Sequence, residues 1–237
     1  MAFWVLGLSG AAVLAERRQA ERRPTPPSVM IDRTVEHYFL HEEDVQRLLA
    51  TRLPGPQDLT PARTVDLREL EHALQANAFV RRAEASRALD GSLHVDVQQV
   101  RPLARLVRRG AADEYVDEMG ATVPLSVRYT ARVPLVETAG WNWGEDSVET
   151  AAMFRLIQYI DGDPLWRAQI AHVRRDERGG LTFYPQVGKQ RVEFGPPEQI
   201  ESKFRRLRVF YDDILPAKGW NTYRRVNVAF ENQIICE

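Results

Sequence analysis

The chain has 237 residues, 44% hydrophobic and 27% charged, a balance that excludes wholesale disorder. Lys and Arg number 32 against 33 Asp and Glu, and a formal net charge of -1 excludes a general electrostatic pull toward nucleic acid. Cys236 is the single cysteine, so no intrachain disulfide and no cysteine-based zinc site can form.

The chain opens on an uncharged, mostly apolar run, Ala2 to Ala15, carrying Phe3, Trp4, Val5, Leu6, Leu8, Val13 and Leu14. As a helix it spans roughly 21 Å against a hydrocarbon core of ~30 Å. A signal-peptide core, a short membrane anchor and a buried amphipathic helix are the readings open to it. Arg17, Arg18, Arg22 and Arg23 follow the run and no Lys or Arg precedes it, which inverts the positive-inside pattern for an exported C-terminal bulk. The expectation is a membrane anchor at 1–16, incomplete as it stands, with a basic cytoplasmic stretch upstream of Met1. Pro24-Thr25-Pro26-Pro27 closes a linker at 17–27 as a stiff spacer.

A first folded domain is expected at 28–103. Val29-Met30-Ile31 is a short apolar strand. Glu42 to Ala50 places Val45, Leu48 and Leu49 on one helical face, and Thr64 can cap a second helix carrying Leu67, Leu70 and Leu74 that stops near Asn77. Phe79–Ala88 and Leu93–Val100 read as a hairpin about Leu89-Asp90-Gly91, with Leu93, Val95 and Val97 alternating against His94, Asp96 and Gln98. The order is β-α-α-β-β.

The pattern changes over 104–237, where turns separate short strand candidates: Ala104–Val107, Tyr115-Val116, Val133–Val136, Gln169–Arg174, Leu181–Tyr184 and Arg191–Phe194. One helix begins near Ser147 and carries Met153, Phe154, Ile157 and Ile160. A longer one is expected over Pro197–Leu215, with Pro197 in its first turn and Ile200, Phe204, Leu207, Tyr211 and Ile214 at helical spacing. A terminal strand, Tyr223 to Ile235, alternates Val226, Val228 and Phe230 against Arg225, Asn227 and Ala229. The fold class is therefore α+β: a membrane helix, the β-α-α-β-β domain, then a β-rich domain with a long C-terminal helix and a terminal strand.

Chemistry-bearing constellations are weak. His37 and His41 make an H-x-x-x-H spacing beside Glu42, but no third ligand or motif context accompanies it, and surface or structural histidines are the better reading. His72, His94 and His172 lack Ser or Cys partners in any nucleophile context. Gly7-Leu8-Ser9-Gly10 lacks the strand-before, helix-after setting of a phosphate loop. Asp161-Gly162-Asp163-Pro164 reads as a turn, and Asp212-Asp213 as a solvated helix face. Trp141-Asn142-Trp143 reads as core packing ahead of an exposed interaction site. No catalytic residue, cofactor or metal is expected, and the work of the chain is expected to be binding.

A chain-terminal strand often lies at a sheet edge, where free N–H and C=O groups can pair with an added strand. The candidate partner-binding residues are Tyr223, Arg225, Asn227, Ala229, Phe230, Glu231 and Gln233. Val226, Val228 and Phe230 form the expected inward set, so Phe230 stands in both. Val29-Met30-Ile31 and Phe79-Val80 are two further candidate edges in the first domain.

Several segments carry a family resemblance. Phe79-Val80-Arg81-Arg82-Ala83, then Arg87, Leu93-x-Val95-x-Val97-x-Gln99-x-x-Pro102-x-Ala104, is similar to the run that closes a POTRA domain in the FtsQ/DivIB family, with Gln99 where an acid is usual and Phe79 where Trp is common. Tyr115-Val116-Asp117-Glu118-Met119-Gly120, Val133-Pro134-Leu135-Val136, the pair Leu181–Phe183 and Val192–Gly195, and Tyr223–Phe230 resemble later segments of that family in the same order. The ending Phe230–Cys236 is most similar to its Bacteroidetes-type members. The resemblance implies a short cytoplasmic tail, one inner-membrane helix, and a periplasmic POTRA domain followed by a β domain. It implies a non-catalytic divisome scaffold at the septum, linking early and late division proteins through FtsB/FtsL-like partners, with FtsK-like and septal wall synthase components as further partners. Ala229 stands where the family often places a basic residue. The alternative reading is a POTRA-containing envelope assembly or secretion factor.

Overall fold

The computed structural model describes residues 27–32, 39–52, 66–89, 92–138 and 141–237, which fall into two compact units divided between Gln99 and Val100. The expected anchor at 1–16, nearly all of the 17–27 linker, His37 and Thr64 lie outside the described residues. Among the described residues no helix is long and apolar enough to cross a membrane.

The first unit contains β1 (Ser28–Ile31), α1 (Glu42–Ala50), α2 (Leu67–Gln75), β2 (Val80–Arg87) and β3 (Leu93–Gln99). The three-stranded sheet has the order β1-β3-β2, with β1 parallel and β2 antiparallel to the central β3. In α1, Val45 and Leu49 sit one turn apart and are fully buried, while Glu42, Glu43 and Asp44 occupy the first turn, where the helix dipole favours anions. Asp66, and not Thr64, caps α2: its carboxylate accepts from the Arg68 and Glu69 N–H groups at 2.9 and 3.3 Å. Leu70 and Leu74 of α2 meet Val95 and Val97 of β3 in one core. Gln99 is buried, and its Oε1 accepts the buried Leu40 N–H at 2.8 Å, so a neutral amide does this work without burying a charge.

The second unit carries β4 (Pro102–Val107), β5 (Glu114–Asp117), β6 (Thr122–Pro124), β7 (Leu135–Glu137), α3 (Ser147–Gly162), α4 (Pro164–Gln169), β8 (Ile170–Arg175), β9 (Leu181–Pro185), β10 (Arg191–Gly195), α5 (Ile200–Val209), a π-helical turn (Phe210–Ile214), α6 (Leu215–Lys218), β11 (Arg225–Asn227) and β12 (Ile235–Cys236). The nine strands form one sheet, β12-β11-β10-β9-β8-β7-β4-β5-β6, with β4–β7, β7–β8 and β10–β11 parallel. Alternation divides its faces. Val173, Phe183, Val192, Phe194 and Val226 pack with Ile157, Trp166, Phe204 and Leu207 of the helices, while Arg174, Tyr184, Glu193 and Asn227 lie on the opposite face. Phe204 is the centre of an aromatic stack, with Tyr159, Trp166 and Phe194 rings at 4.7, 5.0 and 5.2 Å.

Three sequence expectations are corrected here. The long helix starts at Ile200, after Gln199 in a left-handed conformation (φ 49°), because Glu198 donates its N–H back to the Pro196 carbonyl at 2.8 Å and a proline pair disfavours earlier helix. It is also not a continuous α-helix. Pro216 has no N–H and its ring crowds the carbonyl four residues back, and the preceding turn widens so that Leu215 N–H bonds the Phe210 carbonyl. Finally, Tyr223–Ile235 is not one strand: β11 holds three residues, the chain reverses, and β12 returns antiparallel to it.

Candidate functional site

The reversal between β11 and β12 builds the end of the sheet. Asn227 Oδ1 accepts the Ala229 N–H at 2.9 Å, which withdraws that group from any ladder and closes the strand. Val228 still donates to the Glu193 carbonyl at 3.0 Å. Beyond it, Asn232 adopts a left-handed conformation (φ 56°), the conformation Asn tolerates best among non-glycine residues, and the chain turns back. Gly195 makes room for this turn: its φ is +74°, and a Cβ there would stand 2.9 Å from the Ala229 Cβ.

The seven candidate residues separate into distinct settings. Tyr223 is half-buried against the core, its ring 6.3 Å from Phe210. Arg225 and Asn227 lie on the polar sheet face, where both reach Glu193: Arg225 Nη1 at 3.4 Å and Asn227 Nδ2 at 2.9 Å. Arg225 also pairs with Glu237 at 2.5 Å, and this carboxylate pushes the guanidinium pKa further up. Ala229 is half-buried against Gly195. Phe230, expected inward beside Val226 and Val228, is 52% exposed, because the strand has already ended before it. Glu231 accepts from Gln199 Nε2 at 2.8 Å, and Gln233 is exposed on the return to β12. Phe230, Glu231 and Gln233 thus share one turn, and Arg225 with Asn227 shares one carboxylate on the sheet face.

Strand β11 is paired on both sides, with β10 and with β12, and is interior rather than the edge. The edge is β12. Arg225 and Glu237 exchange both backbone hydrogen bonds at 2.9 Å, so in an antiparallel ladder the N–H and C=O of Cys236, one residue on, face away from β11. Burial pushes the Cys236 thiol pKa up, which favours its protonated form. At the other end of the sheet, the same pattern turns position 124 outward from β5, and Pro124 there has no N–H to offer.

Behind β12 lies a groove of about 480 Å³ between α5 and the returning chain, lined by Ser202, Arg205, Arg206 and Val209 on one side and Asn232, Gln233 and Ile234 on the other. Sequence reasoning did not single out these α5 residues. Their spacing marks one helix face, but nothing local says that 232–234 packs opposite it. Arg206 donates from Nη1 to Ser202 Oγ at 2.9 Å and from Nη2 to the Val228 carbonyl at 2.8 Å, while its Nε is buried without an acceptor.

Other candidates are structural. Trp141 is buried and Trp143 donates from Nε1 to the Gly120 carbonyl at 3.0 Å, so the pair packs as expected. Asp163 caps α4, its Oδ1 accepting from Leu165 N–H at 2.9 Å. His41 begins α1 and donates its backbone N–H to Asp44 at 3.0 Å. Among the described residues no cluster of three or more metal-ligating side chains occurs. In the first unit, two outward backbone groups of β2 are met by α2: Glu71 Oε1 accepts the Ala85 N–H at 2.8 Å, and Gln75 Nε2 donates to the Ala83 carbonyl at 3.3 Å. In the order β1-β3-β2 both β1 and β2 are edge strands of this sheet.

The class of protein follows: a two-unit α+β chain in which a small helix-covered sheet precedes a large mixed sheet ending in a short edge strand. Residues 27–98 match the family model of a POTRA-like domain, and residues 101–237, more than half of the chain, match the model described as FtsQ/DivIB, C-terminal related. The chain belongs to the FtsQ/DivIB family of cell-division proteins. That family acts as non-catalytic scaffolds in cell division, with other division proteins as partners at the septum. No curated protein matches this chain.

Proposed function

We propose that this chain is a divisome scaffold that links early and late division proteins by taking up an extended segment of an FtsB/FtsL-type partner beside β12. The observation carrying this is the Cys236 backbone, whose N–H and C=O face out of the sheet while the opposite edge ends in Pro124. Phe230 and Gln233 beside that edge supply side-chain contact, and FtsK-like and septal wall synthase components are further partners. In this reading residues 1–16 are part of a single membrane pass, 17–27 a spacer, and 28–103 and 104–237 periplasmic domains. The match of 101–237 to a division family favours this over an envelope assembly or secretion factor.

Proline at Asn227 would break the ladder inside the sheet, so it does not isolate the edge. Cys236→Pro removes the outward N–H and leaves the bonds to β11 in place, and Cys236→Ala controls for the lost thiol packing. A pull-down of the FtsB-like protein from the same genome tests the reading: the variant should melt like the parent and retain less than a tenth of the bound partner. Equal capture by both overturns edge docking.

A further inference from the structure

We propose that the two loops leading into β10 and β11, residues 186–191 and 218–224, bind an anionic glycan, a chain of sugar rings bearing carboxylates. Nothing in this depends on edge docking at β12. Strands β10 and β11 run parallel, so the loops before them lie side by side. Arg191 donates its backbone N–H to the Arg224 carbonyl at 3.0 Å, and Gln190 Nε2 donates to the Trp220 carbonyl. Gln190 is 1% exposed, so this buried polar contact fixes where the tryptophan stands. Gln169 Nε2 donates to the Val187 carbonyl at 2.8 Å, and Thr222 Oγ1 donates to the Lys218 carbonyl at 2.5 Å. Both loops are therefore shaped before any ligand arrives.

Their surface is positive and aromatic. Lys189 and Lys218 are exposed and make no ion pair among the described residues, and the two loops hold no Asp or Glu. Glu237, whose backbone carbonyl accepts from Arg224, has its carboxylate engaged by Arg225. Trp220 is 46% exposed, with the buried Tyr211 ring 6.4 Å away, so the indole is backed by the core and still open to solvent. Sugar rings present C–H faces that an indole covers and hydroxyls that the exposed Gln186, Asn221 and Thr222 can pair with. The two ammonium groups supply charge-assisted bonds to carboxylates. Trp220 and Val187 are the large apolar side chains exposed on these loops, too few for the core of a protein interface or for insertion among lipid chains.

The test is co-sedimentation of the full chain with purified bacterial wall sacculi, whose glycan strands carry carboxylate-ended peptides. The parent should pellet, and soluble wall fragments released by a muramidase should displace it. Lys189→Gln combined with Lys218→Gln changes two exposed side chains and should cut the pelleted fraction at least fivefold. Trp220→Ala should do the same, while Trp220→Phe keeps a flat ring and most of the binding. Poly-glutamate has carboxylates and no sugar, and chito-oligosaccharide has the sugar and no carboxylate. Each should displace the chain at least tenfold less well than wall fragments. A parent that stays in the supernatant overturns the proposal, and so does a double lysine variant that pellets within twofold of the parent. Displacement by poly-glutamate as complete as by wall fragments would make the loops a site for any acidic chain and overturn the glycan. Capture by phosphatidylglycerol vesicles in place of sacculi would overturn it in favour of a lipid surface.

Discussion

Arg206 on α5 donates to the carbonyl of Val228 at 2.8 Å, the first residue past the end of β11. This bond satisfies a backbone oxygen that has left the ladder, and it ties the helix to the turn that reverses the chain. Replacing Arg206 with Met keeps the stem that packs along the helix but leaves that carbonyl without its donor. A loss of about 1–3 kcal/mol is expected, read by urea unfolding. Amide exchange should accelerate over 228–236 and not over β8 and β9. Unchanged exchange there would mean that the turn holds itself.

Lys203 is buried, its Nζ donating to the Pro196 carbonyl at 2.7 Å and lying 4.9 Å over the Phe194 ring. Burial lowers its pKa from the ordinary 10.5, with Glu198 opposing and Arg206 adding to the fall. Between that lowered value and 10.5 the unfolded chain holds more protons than the folded one, so Lys203 makes stability rise with pH there. Below the window the charged, buried ammonium costs stability at a constant level. Burial raises the Tyr211 and Cys236 pKa values, which pulls stability the opposite way at alkaline pH. Lys203→Met keeps both, so the parent-minus-variant difference isolates the lysine. That difference should climb in favour of the parent as pH rises, in urea unfolding series from neutral to alkaline buffer. A flat difference would contradict it.

Glu71 and Gln75 cover the outward groups of Ala85 and Ala83 on β2. The double change Glu71→Ala, Gln75→Ala should uncover a strand edge while sparing the buried Leu70 and Leu74. Sedimentation velocity should then show concentration-dependent self-association absent from the parent. A monomeric double variant would mean that the charges along β2 protect the edge by themselves.

Phe230 and Gly195 separate binding from folding in one turn. Phe230→Ala removes a half-exposed ring, so stability should change by less than ~0.5 kcal/mol while partner binding falls several-fold, as for an interface aromatic. Gly195→Ala forces a Cβ against Ala229 at a left-handed φ and should cost about 1–3 kcal/mol before any partner is added. Calorimetry and pull-down on the same two proteins check both.

Much of the first unit was legible because its two periods differ sharply. Val45 with Leu49 and Leu70 with Leu74 repeat at one helical turn, while Val95 and Val97 alternate at two residues. The cap of α2 was misplaced because Asp66 and Thr64 are both capping types, and only the backbone shows which one ends up beside the free N–H groups. In the second unit, β6 escaped notice because one buried Val123 between Thr122 and Pro124 is too short a run to set a period. The terminal strand was overextended because Val226, Val228 and Phe230 alternate through the point where Asn227 captures Ala229. Asn227 and Asn232 were the available signals for a turn. The groove was not legible at all, since Arg205 and Val209 look like an ordinary solvated face until 232–234 folds across from them.

The two ends of the nine-stranded sheet are chemically unequal, with Cys236 presenting a donor and an acceptor at one end and Pro124 withholding a donor at the other. A second copy adding its β6 to β12 would find both groups at Thr122 but no donor at Pro124, a poorer match than a foreign strand with every N–H intact. Growth of the sheet by copies of the chain is thus less favourable than a single foreign addition. With β12 as the proposed docking edge, that asymmetry favours a foreign strand over a second copy of the chain.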